Sequence, residues 1–525
     1  MTDSSTHTAD NSLPPISQNE VISVLAAHGE SWGQTSASLW SSSEMLSLTP
    51  GHSGVGQLAG TSDSASGNQL PNLQLGDFKA EALKVFDRLD PYHNGAVSDA
   101  QLAQAVQDPS ITGNEAVALS ALYSLKRDEE NGVTAARENG GKSLLPSNVD
   151  ANVLTRAEIE NLPDSLPQAK MTRGMLETLD NPDVRASLDQ NNDGRISAAD
   201  LQNTPLSGFA SSYEQLSSSY AANHLNPVEQ AEVKANGLTF SELDGLLKEQ
   251  KFLTTEAGTI NAALKHADVS ESAQQPKLFS DLINPLNSIK PDDVHQGLAG
   301  DCYFDSSLSS VAAKQPELIK NAIHENDNGT FTVTFPGDPQ HPVTVPTPTE
   351  TEMNTYNADT KDGIWPSVME KAFADHQILF GGRVQTGETA EDATSSGSEK
   401  VALALLTGVP QNHIDRQYID PRRDEDPNYN YDDRINGAMA TLTNAASRGE
   451  YAVVGTRNGS ATWENNLVPN HAYSVVGYKP GPDGGTFELR NPWGDASKNH
   501  GDYFSITGDK LARTLKDLTT IPQSS

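Results

Sequence analysis

A single cysteine, Cys302, stands in the run Gln296-Gly-Leu-Ala-Gly-Asp-Cys302-Tyr-Phe-Asp-Ser-Ser-Leu308. A thiol behind a flexible Gly-Asp turn and ahead of a helix is placed for nucleophilic chemistry, because the unpaired amides and dipole of a helix start favour a thiolate. Far downstream, Asn470-His471-Ala-Tyr-Ser-Val-Val-Gly477 supplies an imidazole, and Leu489-Arg-Asn491-Pro-Trp493-Gly494 supplies a carboxamide. A neighbouring imidazolium would lower the thiol pKa further. Taken alone, a lone cysteine also reads as a small buried hydrophobe. The surrounding Gln-Gly-x-x-Gly-Asp-Cys favours the reactive reading.

These groups need elements to hold them. After Cys302, apolar residues fall at Phe304, Leu308 and Val311-Ala312, until Lys314-Gln-Pro316 ends the run. That spacing predicts a helix with one buried face and Cys302 in its first turn. Beyond Lys290 the composition shifts to strands and turns. Phe331-Thr-Val333-Thr-Phe335 and Val343-Thr-Val345 alternate with period two across a Pro/Gly turn, which predicts a hairpin. Tyr451–Gly455, Ala472–Val476 and Thr486–Leu489 also read as strands. The candidates therefore fall on one helix start and two strand ends.

Upstream, residues 1–75 are rich in Ser, Gly and Thr, as in Gly60-Thr-Ser-Asp-Ser-Ala-Ser-Gly67. Such a segment buries too little apolar surface to offset its ordering entropy and predicts a disordered tail. A short apolar piece near Val21–Ala27 is a candidate docking helix. Residues 76–250 turn helical and carry a weak internal repeat. Four times a small loop leads into an apolar residue, a Ser or Thr, and then an acidic or amide residue followed by Leu or Ile. The four are Val97-Ser98 with Gln101-Leu102, Leu154-Thr155 with Glu158-Ile159, Ile196-Ser197 with Asp200-Leu201, and Leu238-Thr239 with Glu242-Leu243. The repeat looks like the second half of an EF-hand loop with its exiting helix, so this span is expected as an all-α, EF-hand-like domain.

Only one of the four loops is complete. It places the side-chain oxygens of Asp189, Asn191, Asp193, Ser197 and Asp200 at positions one, three, five, nine and twelve, with the Arg195 carbonyl between them and Gly194 at the sharp turn. This is the candidate site for Ca2+ or Mg2+. Asp200 is one carbon shorter than the usual bidentate Glu, which should weaken calcium and favour magnesium. The other loops read as packing units that hold no ion: Tyr92 removes an oxygen from the first, and the second and fourth lack early carboxylates. That blander reading stays open for Asp189–Asp200 as well.

From about Ile289 onward the chain resembles the calpain family of papain-like cysteine proteases. The resemblance rests on the Gln296–Cys302 block, His471-Ala-Tyr-Ser-Val, Arg490-Asn-Pro-Trp-Gly494, and Trp365-Pro-Ser-Val-Met-Glu370-Lys371-Ala372-Phe373 followed by Gly381-Gly382. It implies an α+β, papain-like two-lobe core over 286–525, with the cysteine on a helical lobe and His/Asn on a β-rich lobe. Residues 251–285 would be a helical connector. By the same resemblance Cys302 is the nucleophile, His471 the general base and acid, and Asn491 the group that orients the imidazole. Gln296 and the Cys302 amide become the oxyanion donors, and Trp493 shields the His–Asn bond. Gly382 would bind substrate backbone. Asn470 stands where the family has a glycine lining the cleft, so it too is a candidate substrate contact. Asp293 matches a ligand of the family's first calcium site, whereas Gly363 stands where a glutamate ligand belongs. Around Asp502 the second site is matched only in part.

Composition limits the partners. A formal charge of −34 and a pI near 4.6 oppose binding to nucleic acid or anionic membranes. No apolar run is long enough to span a bilayer, and the N-terminus lacks a Sec-type signal, which predicts a cytoplasmic protein or one exported by another route. The expected activity is a cysteine endopeptidase acting on protein or peptide substrates, with no cofactor needed for the chemistry. The rivals are a calcium-binding adaptor with a non-catalytic peptide-binding domain and a papain-like acyltransferase. The sequence leaves the oligomeric state open.

Overall fold

The computed structural model describes residues 75–138, 152–164, 166–202, 204–266, 277–357, 361–381, 394, 397–419, 430–458, 460–494 and 502–521. The tail, its candidate docking helix and Gly382 lie outside the described residues. The described residues divide into two compact units, one formed by 128–261 and the other by 75–127 together with 262 onward. The helical span 76–250 is thus divided after residue 127. Its last helix, Phe240–His266, also runs on past residue 250.

The fourfold sequence repeat has a simple physical basis. At Ser98/Gln101, Thr155/Glu158 and Ser197/Asp200 the hydroxyl accepts the backbone N–H three residues on, while that residue's side chain reaches back to the hydroxyl residue's own N–H. Thr239 and Glu242 exchange the same pair of bonds. Each pair satisfies two amides that a helix start leaves without partners. The apolar residues beside each pair are all buried: Val97 and Leu102, Leu154 and Ile159, Ile196 and Leu201, Leu238 and Leu243. Arg195–Ile196 pairs antiparallel with Leu238–Thr239.

In the larger unit, α1 (Leu75–Leu89), α2 (Asp99–Val106) and the start of α3 (Gly113–Glu138) bury Phe78, Phe86, Leu102, Ile111 and Leu119. Further along, the thiol helix α4 (Cys302–Lys314) is followed by α5 (Pro316–Ala322) and a three-stranded antiparallel sheet, β1 (Ile323–Glu325), β2 (Thr330–Val333) and β3 (Val343–Pro346). Then come α6 (Glu350–Thr355), α7 (Trp365–Leu379) and α8 (Glu399–Thr407). Beyond these, and apart from a short helical turn at Ser460–Glu464, come β4 (Asp415–Tyr418), α9 (Tyr431–Ser447), β5 (Tyr451–Thr456), β6 (Ala472–Lys479), β7 (Thr486–Arg490), β8 (Tyr503–Thr507), α10 (Gly508–Thr514) and β9 (Leu515–Ile521). These strands form one antiparallel sheet in the order β8-β7-β6-β5-β9-β4, and the architecture is α+β.

That sheet separates two cores by its period of two. Val453 and Ala472 pack with Phe304, Leu308, Met369, Phe373 and Leu403 of the helices on one side. Their strand neighbours Ala452, Val454, Tyr473 and Val475 pack with Leu442 and Leu511 on the other. Phe304 and Phe373 stack with ring centroids 4.1 Å apart, joining α4 to α7.

The apolar spacing predicts one buried face for α4, but the structure buries every residue from Tyr303 to Ala312. Polar side chains survive there because they find partners. The Ser307 hydroxyl donates to its own helix at the Tyr303 carbonyl, 2.7 Å away, and others reach the sheet. Nearby, the Lys371 ammonium of α7 lies 2.7 Å from the Glu352 carboxylate of α6, and both side chains are almost fully enclosed. Removing one member leaves the other charge buried without compensation. Lys371→Ala should therefore destabilise the protein by about 3–5 kcal/mol, measurable as a lower urea midpoint with an unchanged slope.

Candidate active site

Cys302 is the first residue of α4, directly after Asp301, whose carbonyl starts the helix by accepting from Phe304 N at 2.7 Å. The helix is fastened to β6 and to the end of β7 by residues on one face, spaced at i, i+4 and i+7. The Ala472 N–H donates to the Cys302 sulfur. The Ser306 hydroxyl donates to the Ala472 carbonyl at 2.9 Å, and the Ser474 hydroxyl returns a bond to the Ser306 carbonyl at 2.8 Å. The fully buried Arg490 donates to Ser309 at 3.0 Å and to the Val294 carbonyl at 2.7 Å. Ala472 follows His471, and Arg490 precedes Asn491. These bonds set the thiol helix against the residue after His471 and the residue before Asn491.

His471 is buried and leads into β6. Thr456 brackets it: the His471 N–H donates to the Thr456 hydroxyl at 3.0 Å, and the Thr456 N–H donates to the His471 carbonyl at 2.9 Å. The ring nitrogen Nε2 lies 2.9 Å from Asn491 Oδ1. The Trp493 backbone N–H also points at Oδ1, from 3.1 Å. A backbone amide can only donate, so this contact fixes which end of the Asn491 side chain is oxygen. Oxygen at that position requires the hydrogen on Nε2 and leaves Nδ1 of the neutral ring as a base. The Trp493 ring lies 4.6 Å from the imidazole and the Tyr473 ring stands edge-on at 4.9 Å, so two aromatic rings flank His471.

The loop 296–299 is held to its neighbours by backbone amides. Gln296 N donates to the Pro492 carbonyl at 2.8 Å, which ties the loop to the turn after Asn491. Gly297 N donates to the Tyr356 carbonyl, and Leu298 N and Ala299 N share the Thr355 carbonyl at 2.8 Å each. A Cβ at Gly297 would lie 2.5 Å from the Tyr356 oxygen, so this approach demands glycine. The Gln296 side-chain amide is folded onto its own loop, where Nε2 donates to the Ala299 carbonyl at 2.7 Å. Nε2 carries two hydrogens, so this bond uses one of them.

Asn470, exposed, has φ of +49°, the left-handed region that glycine and asparagine tolerate best. The glycine that the family resemblance places here therefore answers a backbone requirement that asparagine also meets.

Residues 268–507 match the family model described as calpain family cysteine protease. Among curated proteins, the calpain-type cysteine protease DEK1 of Zea mays is 25% identical over 270 residues, covering 49% of this chain and 11% of that protein. Calpain-type cysteine protease ADL1 of Oryza sativa subsp. japonica is 24% identical over 265 residues, covering 48% and 11%. DEK1 of Arabidopsis thaliana is 26% identical over 267 residues, with the same coverage. The chain spans about a tenth of the length of these relatives. The chain carries a calpain-family cysteine protease domain.

Within this calpain-type domain the thiol departs from expectation. The sequence predicts a lowered pKa at the helix start. Cys302 is only partly enclosed by surface area, but its dense surroundings still push the thiol up to about 12 through desolvation, and the Ala472 N–H opposes this. Desolvation therefore outweighs the helix dipole while the imidazole is neutral. Beneath Cys302, Asp301, Asp305 and Glu370 each place one oxygen within 4.8 Å of the others, all buried. Burial, and then the neighbouring carboxyls, push Asp305 and Glu370 well above the ordinary range. They keep protons that exposed carboxyls shed.

The positions matched to family calcium ligands hold other partners. Asp293 accepts from Lys290 N through its side chain at 2.7 Å. Burial, and a shared hydrogen bond with Asp362, raise it to about 8. Gly363 has φ of +121°, and a Cβ there would lie 2.4 Å from the Leu278 carbonyl, so a glutamate side chain has no room. Asp502 lies 3.3 Å from Nε of Arg490.

The candidate ion loop folds around Asp189, whose two oxygens accept from Asp193 N at 3.0 Å and Gly194 N at 2.9 Å. Asn191 Nδ2 donates to Asp193 Oδ2 at 2.8 Å, and Arg195 N donates to Asp193 Oδ1 at 2.9 Å. The Asp200 carboxylate accepts from Ser197 N at 2.8 Å and the Ser197 hydroxyl at 2.6 Å. The incomplete first loop makes the same turn: Asp90 accepts from Asn94 N at 2.9 Å and Gly95 N at 2.8 Å, while Tyr92 is exposed. The turn survives the loss of an oxygen.

Sequence reasoning missed Ser306, Ser309, Ser474, Thr456 and Arg490. The serine spacing after Cys302 was a visible signal; the partners on β6 and β7 were not. With His471 as its expected base, a thiol held up by burial should depend on that residue for deprotonation. At pH 7, alkylation of Cys302 by iodoacetamide should slow on the order of 100-fold in His471→Ala. In that variant the rate should climb steadily with pH, as followed by mass spectrometry.

Proposed function

We propose that the calpain-type domain is a cysteine endopeptidase working through Cys302, His471 and Asn491. The observation that carries this is the hydrogen-bond arrangement at His471. Asn491 Oδ1 and the Trp493 amide leave Nδ1 basic, and the next residue, Ala472, bonds the Cys302 sulfur. Nδ1 takes the thiol proton as sulfur attacks the carbonyl carbon of a peptide bond. The Cys302 amide at the helix start and the second N–H of Gln296 stabilise the oxyanion. The carbon–nitrogen bond breaks as His471 returns the proton to the departing amine, leaving a thioester. His471 then deprotonates water, which attacks the thioester, frees the carboxylic acid and restores the thiol. Asn491 stabilises the imidazolium by orientation alone.

This reading includes a papain-like division, with Cys302 on the helical side and His471 and Asn491 on the six-stranded sheet. In Cys302→Ser, hydrolysis of casein should fall on the order of 10⁴-fold or more while the circular dichroism spectrum is unchanged. Retained hydrolysis would remove the assignment. Wild-type protein that is folded and inactive would point to a peptide-binding adaptor instead.

The 152–266 helices are proposed as an EF-hand-like module. The Asp189–Asp200 loop fits a hard divalent cation in donor type, since Asp189, Asn191, Asp193, Ser197 and Asp200 offer only oxygen and the Arg195 carbonyl completes the set. A bound ion would cross-link the loop to the helix that begins at Ala198. Asp200 is shared between that role and its bond to Ser197. Titration of the protein with Ca2+ or Mg2+ in a calorimeter should show a binding event that Asp189→Ala removes. An identical isotherm in the variant would exclude the loop.

A further inference from the structure

The six residues of α6 connect two places that are far apart in sequence. At its start, the Thr349 hydroxyl donates to the Val106 carbonyl at 2.6 Å, in a buried bond, and accepts from Glu352 N at 3.1 Å. The Glu350 carboxylate accepts from Gly113 N at 2.5 Å. Gly113 opens α3, so Glu350 satisfies an amide at the start of a 26-residue helix and meets the positive end of its dipole. Beyond its end, α6 presents the carbonyls of Thr355 and Tyr356 to the amides of Gly297, Leu298 and Ala299. Asn357 continues the contact, pairing with Gln296 and accepting from His295 N through its side chain. Residues 351–357 are all buried, and the Lys371–Glu352 pair pins the middle of the helix. A short, hydrogen-bonded rod with no solvated side has little freedom to absorb a shift at one end without passing it to the other.

Residues 106–113 lie outside the family-matched span, which begins at 268. They nevertheless belong to the same compact unit as the thiol. We propose that the helical segment 75–127 is a built-in part of the catalytic unit, which sets the position of the Gln296–Ala299 loop through Thr349 and Glu350 as positioning residues. The inference rests on the protease reading only in taking that loop as the oxyanion side of the site. The direction of the coupling follows from the bonds: losing the Gly113–Glu350 contact frees the start of α6 and loosens the carbonyls that hold 297–299. The Cys302–His471 pair is fastened separately, by α4 on β6, and is untouched.

The test compares full-length wild type, Glu350→Ala and Glu350→Gln. Gln keeps an acceptor for the Gly113 amide and serves as the conservative rescue. Hydrogen–deuterium exchange should show the amides of 297–299 exchanging about 10-fold faster in Glu350→Ala, near wild type in Glu350→Gln, and unchanged over β6 in both. With a peptide substrate, kcat should fall about 10-fold in Glu350→Ala while KM stays within about two-fold. Iodoacetamide alkylation of Cys302, which forms no oxyanion, should stay within about two-fold of wild type. Wild-type exchange at 297–299 in Glu350→Ala overturns the inference, as does a parallel loss of kcat and alkylation, which would signify general damage. Wild-type protein that hydrolyses nothing overturns the protease reading alone, because the exchange measurement still decides the coupling.

Discussion

The catalytic unit depends on the docking of one buried helix onto one strand end, where both backbone groups of Ala472 are taken up by α4: its N–H by the Cys302 sulfur, its carbonyl by Ser306. A buried amide or carbonyl left unmade is expensive, on the order of 1–3 kcal/mol, so this contact admits few alternatives. It fixes the rotation of the helix about its axis and its position along the strand. Because His471 is the residue before Ala472, the same two bonds also set where the proposed base stands relative to the proposed nucleophile. Arg490 repeats the device one strand over, holding Ser309 and Val294 while the next residue, Asn491, turns the imidazole. Structure and chemistry share these bonds, and neither has a separate framework.

Much of this was legible in the sequence, and what was legible was local. Helix α4 has Cys302 in its first turn as its spacing predicts, and strands stand at 451–456, 472–479 and 486–490 where the sequence reads as strand. The four Ser/Thr positions of the repeat were visible because a helix start satisfies its amides with residues three apart, which leaves a mark in any sequence. What escaped was non-local. A serine stripe is unremarkable until the strand that it bonds is known, and so the full burial of α4 could not be read from apolar spacing alone. The membership of residues 75–127 in the catalytic unit was hidden for the same reason: Val106 and Gly113 offer only backbone atoms, which carry no signature in side-chain type.

The acidity of the thiol shows how magnitudes decide between opposing effects. A helix start, typically worth under about 1 kcal/mol for an exposed charge, favours the thiolate. Desolvation opposes it and wins. Buried Asp305 and Glu370 keep their protons for the same reason. In the proposed chemistry the thiol therefore starts neutral, and charge separation appears when the imidazole accepts its proton.

The solitary sulfur has a redox consequence. These 525 residues contain one cysteine, and it is the nucleophile of the proposed chemistry. Peroxide that converts it to a sulfenic acid meets no second thiol in the chain to trap the product as a disulfide. Without an external thiol such as glutathione, further oxidation to the sulfinic acid is irreversible. Within these 525 residues no second cysteine stands ready to resolve it.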